Sequence, residues 1–194
     1  MKKFLTLRNV LILAGTLFAL LVFVFSFLAV CKTHGELLGT KYVSRVYGVI
    51  WGAYKSKTVA GNDTTIHKFD DNYPAAVLPL IGVILVLLGG LGACVVALLG
   101  EKLFKNEMVR KIVLFACAGL MVLGGFFHFF INSAFAGAMA RKANSEHYTK
   151  QDALNYLKDG HAAYGLVIFS GILAMLGGAA VAASQFIPDK QLAK

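Results

Sequence analysis

The chain has 194 residues, 58% of them hydrophobic, with a formal net charge of +9 and a mean hydropathy of +0.69. Soluble domains are roughly half apolar, and once the long apolar runs are set aside too little chain is left for a separate catalytic domain of about 100 residues. The basic residues gather at the ends of those runs and are not interleaved with base-stacking aromatics, which excludes a nucleic-acid partner.

The first predicted element is an apolar run over 10–31, preceded by Lys2, Lys3 and Arg8. It contains no Asp, Glu, Lys or Arg. A helix needs about 20 apolar residues to cross the hydrocarbon core, and a signal-peptide core is only about 7–15 residues. The run is therefore expected to be a retained membrane span. Its end, Leu28-Ala29-Val30-Cys31, is similar to a lipoprotein cleavage box, but Val30 stands where a small residue belongs.

Residues 32–74 form a long first loop. Its centre, 42–54, holds Tyr42, Tyr47, Tyr54 and the single Trp, Trp51, among β-branched residues. That is strand composition, and Gly48 and Gly52 suit bulges or a tight bend. The alternative is an interfacial segment with Tyr47, Trp51 and Tyr54 at headgroup level. Either way these three aromatics are the candidate partner surface. Gly61-Asn62-Asp63 predicts a turn with a strand on either side, and Asn62-Asp63-Thr64 is a glycosylation sequon in a host that glycosylates.

A second span is predicted over 75–100, capped by Asn72, with Pro74 in its first turn and a kink at Pro79. The short loop 101–111 leads to a third span over 112–140. Thr149 and Asp152 have capping-box spacing, with Asp in place of the usual Glu or Gln. They start a short amphipathic helix that puts Ala153, Leu154 and Leu157 on one face and runs to Gly160. It is expected to lie on the membrane or to run into a fourth span over 162–187. The second long loop is 141–161.

Charge orients this topology. Segments 1–9, 101–111 and 188–194 hold nine basic residues in 27 positions, against ten in 64 for loops 32–74 and 141–161. The positive-inside rule then places both termini in the cytoplasm and the two long loops outside, with the cell membrane as the expected site.

Within the runs, small residues recur at four-residue spacing: Gly89 and Ala93, then Asn132, Ala136 and Ala140, then Ser170, Ala174, Gly178 and Ala182. Such faces let helices approach closely in lipid, first within one bundle and alternatively for self-association or a partner helix. Cys31, Cys94 and Cys117 fall within or at the end of spans as packing residues, with no C-x-x-C pair.

Among the polar residues inside the runs, His128 is the sharpest candidate for a site, with Asn132 one helical turn on and on the same face. The five histidines His34, His67, His128, His147 and His161 fall on the outer side, but their spacing matches no metal-ligand motif. No embedded carboxylate, P-loop, G-x-S-x-G or H-E-x-x-H is present. No catalytic residue, cofactor or metal is expected.

The layout of inside termini, a long strand-like first outer loop with a Trp, a short inner loop and a shorter second outer loop resembles that of the claudins and related tetraspan proteins. Topology alone carries the resemblance. Val49-Ile50-Trp51 supplies one of the two tryptophans of the claudin loop signature, and the loop interior has no Cys pair. It implies a fold, and no activity or site residue follows from it.

The expected class is an all-α membrane protein, a single four-transmembrane-helix bundle with a partly strand-like first outer loop. Its expected role is that of a non-enzymatic scaffold, adhesion protein or accessory subunit, partnered by the bilayer and by protein. The alternatives are an oligomeric channel or transporter using His128 and Asn132, and a membrane enzyme acting on a lipid.

Overall fold

A computed structural model of the chain describes residues 6–37, 39–52, 54–68, 74–143, 149–159 and 164–187. In chain order the elements are α1 (Leu7–Leu28), β1 (Val30–Leu37), β2 (Thr40–Tyr47), β3 (Lys55–Ala60), β4 (Asp63–Lys68), α2 (Val77–Leu103), α3 (Glu107–Phe127), a 3-10 turn (His128–Phe130), α4 (Ile131–Ala143), α5 (Lys150–Asp159) and α6 (Gly165–Ala183). A second 3-10 turn, Ser184–Phe186, follows α6.

Four helices are long and apolar enough to cross a membrane: Leu7–Leu28, Val77–Gly100, Glu107–Ala143 and Gly165–Phe186. Each carries large apolar side chains on its outward face. On α1, Leu13, Leu17, Leu20 and Val24 are exposed, and on α2, Ile81, Ile84, Leu88, Leu91 and Val95. Apolar stripes of this length are a liability in water, whereas a helix that is apolar all round suits a hydrocarbon solvent.

The element ends differ from the sequence expectation where local chemistry decides them. Thr6 caps α1 by accepting the Asn9 N–H on Oγ1 at 3.2 Å, so the helix starts before 10 and includes Arg8. It stops at Leu28 because Val30 enters the sheet, which moves Cys31 from the first span into β1. Pro74 lies ahead of α2, and Pro79 falls in the helix's first turn. An absent N–H costs nothing in that turn, so no kink is required. The expected cap Asn72 is outside the described residues. Asn106 Oδ1 accepts the Met108 N–H at 2.8 Å and caps α3.

The described residues fall into two compact units. The first is formed from 6–23, 82–126 and 170–187. Its core comprises Ile12, Ala19, Val22, Val86, Ala93, Val96, Leu114, Cys117, Ala118, Met121, Ala174 and Val181. Glycines set how closely its helices pack. A Cβ on Gly15 of α1 would lie 2.7 Å from the Gly177 carbonyl oxygen of α6. On α3, a Cβ on Gly125 would meet the Gly171 oxygen of α6 at 2.6 Å, and one on Gly124 the Gly82 oxygen of α2 at 2.5 Å. Thr16 Oγ1 of α1 donates to the Gly90 carbonyl of α2 at 3.0 Å. The helices thus close in a ring, α1 beside α2, α2 beside α3, α3 beside α6 and α6 beside α1. Of the expected small-residue faces, Gly89, Ala93, Ser170, Ala174 and Gly178 are buried in this packing, whereas Ala182 is half-buried; the face predicted on 132–140 falls in the second unit, where Ala136 is buried, Ala140 half-buried and Asn132 exposed. Arg8 Nη2 donates to Gln185 Oε1 at 2.9 Å, which gives a buried cation a partner.

The second unit, the described residues of 24–81 and 127–169, holds a four-stranded antiparallel sheet in the order β1-β2-β3-β4. The sheet lies in the loop where strand composition predicted it, and Gly61 (φ +58°) makes the β3-β4 turn. One face is buried through Cys31, Ser44, Val46 and Ser56. The amphipathic helix α5 does not lie free on a surface. Ala153 and Leu157 are fully buried, and the helix packs against α4 and β1. Its capping box forms as predicted, with the Thr149 N–H donating to Asp152 Oδ2 at 2.7 Å and the Asp152 N–H to Thr149 Oγ1 at 3.3 Å. Gly160 is outside the described residues.

Candidate functional site

Strand β2 ends at Tyr47, short of the predicted strand-like stretch to 54, because Gly48 adopts φ +79°. Few residues other than glycine take that conformation. Trp51 N–H closes a turn on the Gly48 carbonyl at 3.0 Å, and the Ala76 N–H bonds the Val49 carbonyl at 3.1 Å. Gly52 at φ +100° turns the chain again toward β3. The result is a tight corner that carries all three predicted aromatics.

The structure places them unequally. Tyr47 is half-buried, with Tyr54 tilted against it at 6.4 Å between ring centroids and Lys55 Nζ 5.9 Å above its ring. Tyr54 also lies over Gly48, where a Cβ would collide with it. Trp51 reaches back to the last turns of α1. Its ring stacks on Phe27 at 5.1 Å and 4°, and Nε1 donates to the buried Ser26 Oγ at 2.7 Å. Trp51 is still 37% exposed and Tyr54 40%. The corner therefore combines an anchored polar edge with an open aromatic face, the amphipathic arrangement that suits indole rings to interfaces.

His128 and Asn132 differ in their surroundings. Through an α-helix, residues four apart lie about 40° apart around the axis, but the turn at His128–Phe130 is 3-10 and advances about 120° per residue. His128 is fully buried, whereas Asn132 is exposed. Of the other histidines, His67 is exposed on β4. His147 and His161 are outside the described residues, and so is the His34 side chain. Among the described residues, no three of His, Cys, Asp and Glu converge as metal ligands would.

The cysteines remain thiols. Cys31 Sγ donates to Tyr164 Oη at 3.6 Å. Burial pushes its pKa up to about 11, and the Tyr164 hydroxyl pulls it partly back. A thiol held protonated at neutral pH is a poor nucleophile, and Cys31 is buried within the packing. Tyr164 in turn meets Phe135 edge-on at 6.4 Å.

One feature has no counterpart in the sequence reading. The exposed face of the sheet carries a groove of about 270 Å³ lined by Lys32, Val43, Arg45, Lys57 and Val59. The lysines and the arginine are 12 or more residues apart in sequence, and only the strand register reveals that they are neighbours. No family model matches the chain, and no curated protein does either.

Proposed function

We propose that this chain is a non-enzymatic four-span protein of the cell membrane, with both termini cytoplasmic and the sheet-bearing loop outside. It acts as a scaffold, adhesion protein or accessory subunit. The orientation rests on the density of basic residues, nine in 27 positions for the termini and short loop against ten in 64 for the long loops.

The observation that carries the role is the corner formed by residues 48–52 with Tyr54 beside it. Trp51 and Tyr54 are both more than a third exposed on a segment braced by two glycine turns and the bond to Ser26. Aromatic anchors of this kind dominate binding energy at interfaces. A braced backbone loses little entropy on docking. The stack on Phe27, one residue short of the α1 end, sets the corner at the rim of a span, where a neighbouring membrane protein or the headgroup layer is within reach.

The test is extraction from the native membrane in mild detergent, with wild type compared against Tyr54→Ala and Trp51→Phe. A stoichiometric partner should co-purify with wild type and fall at least tenfold with Tyr54→Ala, while insertion stays intact. Equal recovery of every partner in all three would count against the proposal.

A further inference from the structure

The register pairs Lys32 directly with Arg45 and Arg45 directly with Lys57, so three cations stand in one row across β1, β2 and β3. Like charges directly opposite one another destabilise a sheet. Lys32 and Lys57 are half-buried and Arg45 is exposed. Among the described residues, no carboxylate pairs with any of them: the described ion pair is Lys111 with Glu107, far along the chain on α3. The next row toward α1 adds Lys55 and Lys68, paired on the same face. No described side chain neutralises the Lys32, Arg45 and Lys57 row, and an anion bound across it would relieve the repulsion.

The size and lining of the groove narrow the class of anion. A volume of about 270 Å³ is close to the lower end of small-molecule sites and fits one phosphate with a short polar substituent. Arg45 offers a planar fork for two phosphate oxygens, flanked by two lysine point charges. Val43 and Val59 supply an apolar wall beside them.

Position narrows the source. Lys32 follows the end of α1 at Leu28 by four residues, about 13 Å at 3.3 Å per residue, with the Lys55 and Lys68 row closer still. Where α1 spans the membrane, a headgroup layer about 5–8 Å deep takes in the Lys55 and Lys68 row, which lies level with Val30, and about 13 Å is the upper bound for Lys32, reached only by a strand running along the membrane normal.

We propose that the Lys32, Arg45 and Lys57 groove binds the phosphate of an anionic phospholipid headgroup. The choice of a lipid source rests on the four-span reading. The phosphate chemistry does not.

The probe is phosphatidylglycerol added to delipidated full-length protein in neutral detergent, with phosphatidylcholine as comparison and bound lipid counted by native mass spectrometry. Wild type is expected to bind phosphatidylglycerol at least tenfold tighter than phosphatidylcholine. Lys32→Gln/Arg45→Gln/Lys57→Gln should abolish the preference, and Arg45→Gln alone should reduce it. Lys102→Gln/Lys105→Gln should leave it intact. The triple variant should melt no lower than wild type, because the substitutions remove repulsion, so its loss of binding cannot be ascribed to unfolding.

A preference that survives the triple variant, or one lost with Lys102→Gln/Lys105→Gln, overturns the assignment. Glycerol phosphate that binds as tightly as the lipid assigns the groove to a free phosphate and overturns the lipid source. A wild type without preference overturns the groove while leaving the four-span reading to its own test, cysteine labelling from either side of the membrane.

Discussion

The bond between Trp51 and Ser26 ties the sheet-bearing loop to α1, and its contribution can be isolated. Nε1 meets Ser26 Oγ at 2.7 Å, and Ser26 is 1% exposed, so water does not readily replace the lost partner. A hydrogen bond of this kind contributes about 1 kcal/mol net. Trp51→Phe removes the N–H and keeps a ring to stack on Phe27, while Ser26→Ala removes the acceptor. Each single change also alters burial, but the double-mutant cycle cancels those effects. The expected coupling is about 1 kcal/mol, roughly a fivefold change in the unfolding equilibrium. Trp51→Ala should cost about 1 kcal/mol more than Trp51→Phe, since the aromatic pair is lost as well. Unfolding of the purified protein in mixed micelles, followed by circular dichroism, measures all four corners of the cycle. Trp51 is the only tryptophan, so acrylamide quenching of Ser26→Ala reports directly whether the ring swings free. A coupling within about 0.3 kcal/mol of zero, with quenching unchanged, would refute the clamp.

Two further predictions concern packing and capping. Gly15→Ala puts a Cβ 2.7 Å from a backbone oxygen and should cost about 1–3 kcal/mol. Gly119→Ala on α3 meets nothing within 4 Å and should be neutral or stabilising by up to about 1 kcal/mol; the same micelle titration ranks the two. The hydroxyl and backbone N–H of Thr149 both donate to Asp152 and hold its carboxyl below the usual 3.8. A lowered folded pKa stabilises the cap above the unfolded value and loses that stabilisation as pH falls through the folded one. The cap of α5 should thus be complete at neutral pH and released only below about pH 3.8, read as an NMR titration of α5 amides that Asp152→Asn abolishes.

Much of this fold could be read from the sequence because one physical cause dominated each signal. Uncharged runs of more than 20 residues have few alternatives to membrane-length helices. Gly61-Asn62-Asp63, flanked by Thr58, Val59, Thr64, Thr65 and Ile66, signals a turn between two strands. The Thr149 and Asp152 cap needed only spacing.

What the sequence hid depended on geometry at a distance. A 3-10 turn at His128–Phe130 interrupts the α-helical spacing on which a pairing of His128 with Asn132 rests. Cys31 read as the end of a span because nothing in Ala29-Val30-Cys31 distinguishes a buried strand from a helix. Trp51 was identified, but its bond to Ser26 spans 25 residues and leaves no local trace. The cation row became visible only when the register set Lys32, Arg45 and Lys57 side by side.

A four-span chain with its sheet outside and its termini inside can be checked by site-directed labelling. Thr65→Cys, exposed on β4, and Lys105→Cys, exposed between α2 and α3, would be treated in intact cells with a membrane-impermeant maleimide, against wild type, whose Cys31 and Cys117 are buried and Cys94 half-buried. With that orientation Thr65→Cys is labelled in intact cells and Lys105→Cys only after permeabilisation. Labelling of both positions from one side, or the reverse pattern, would contradict it.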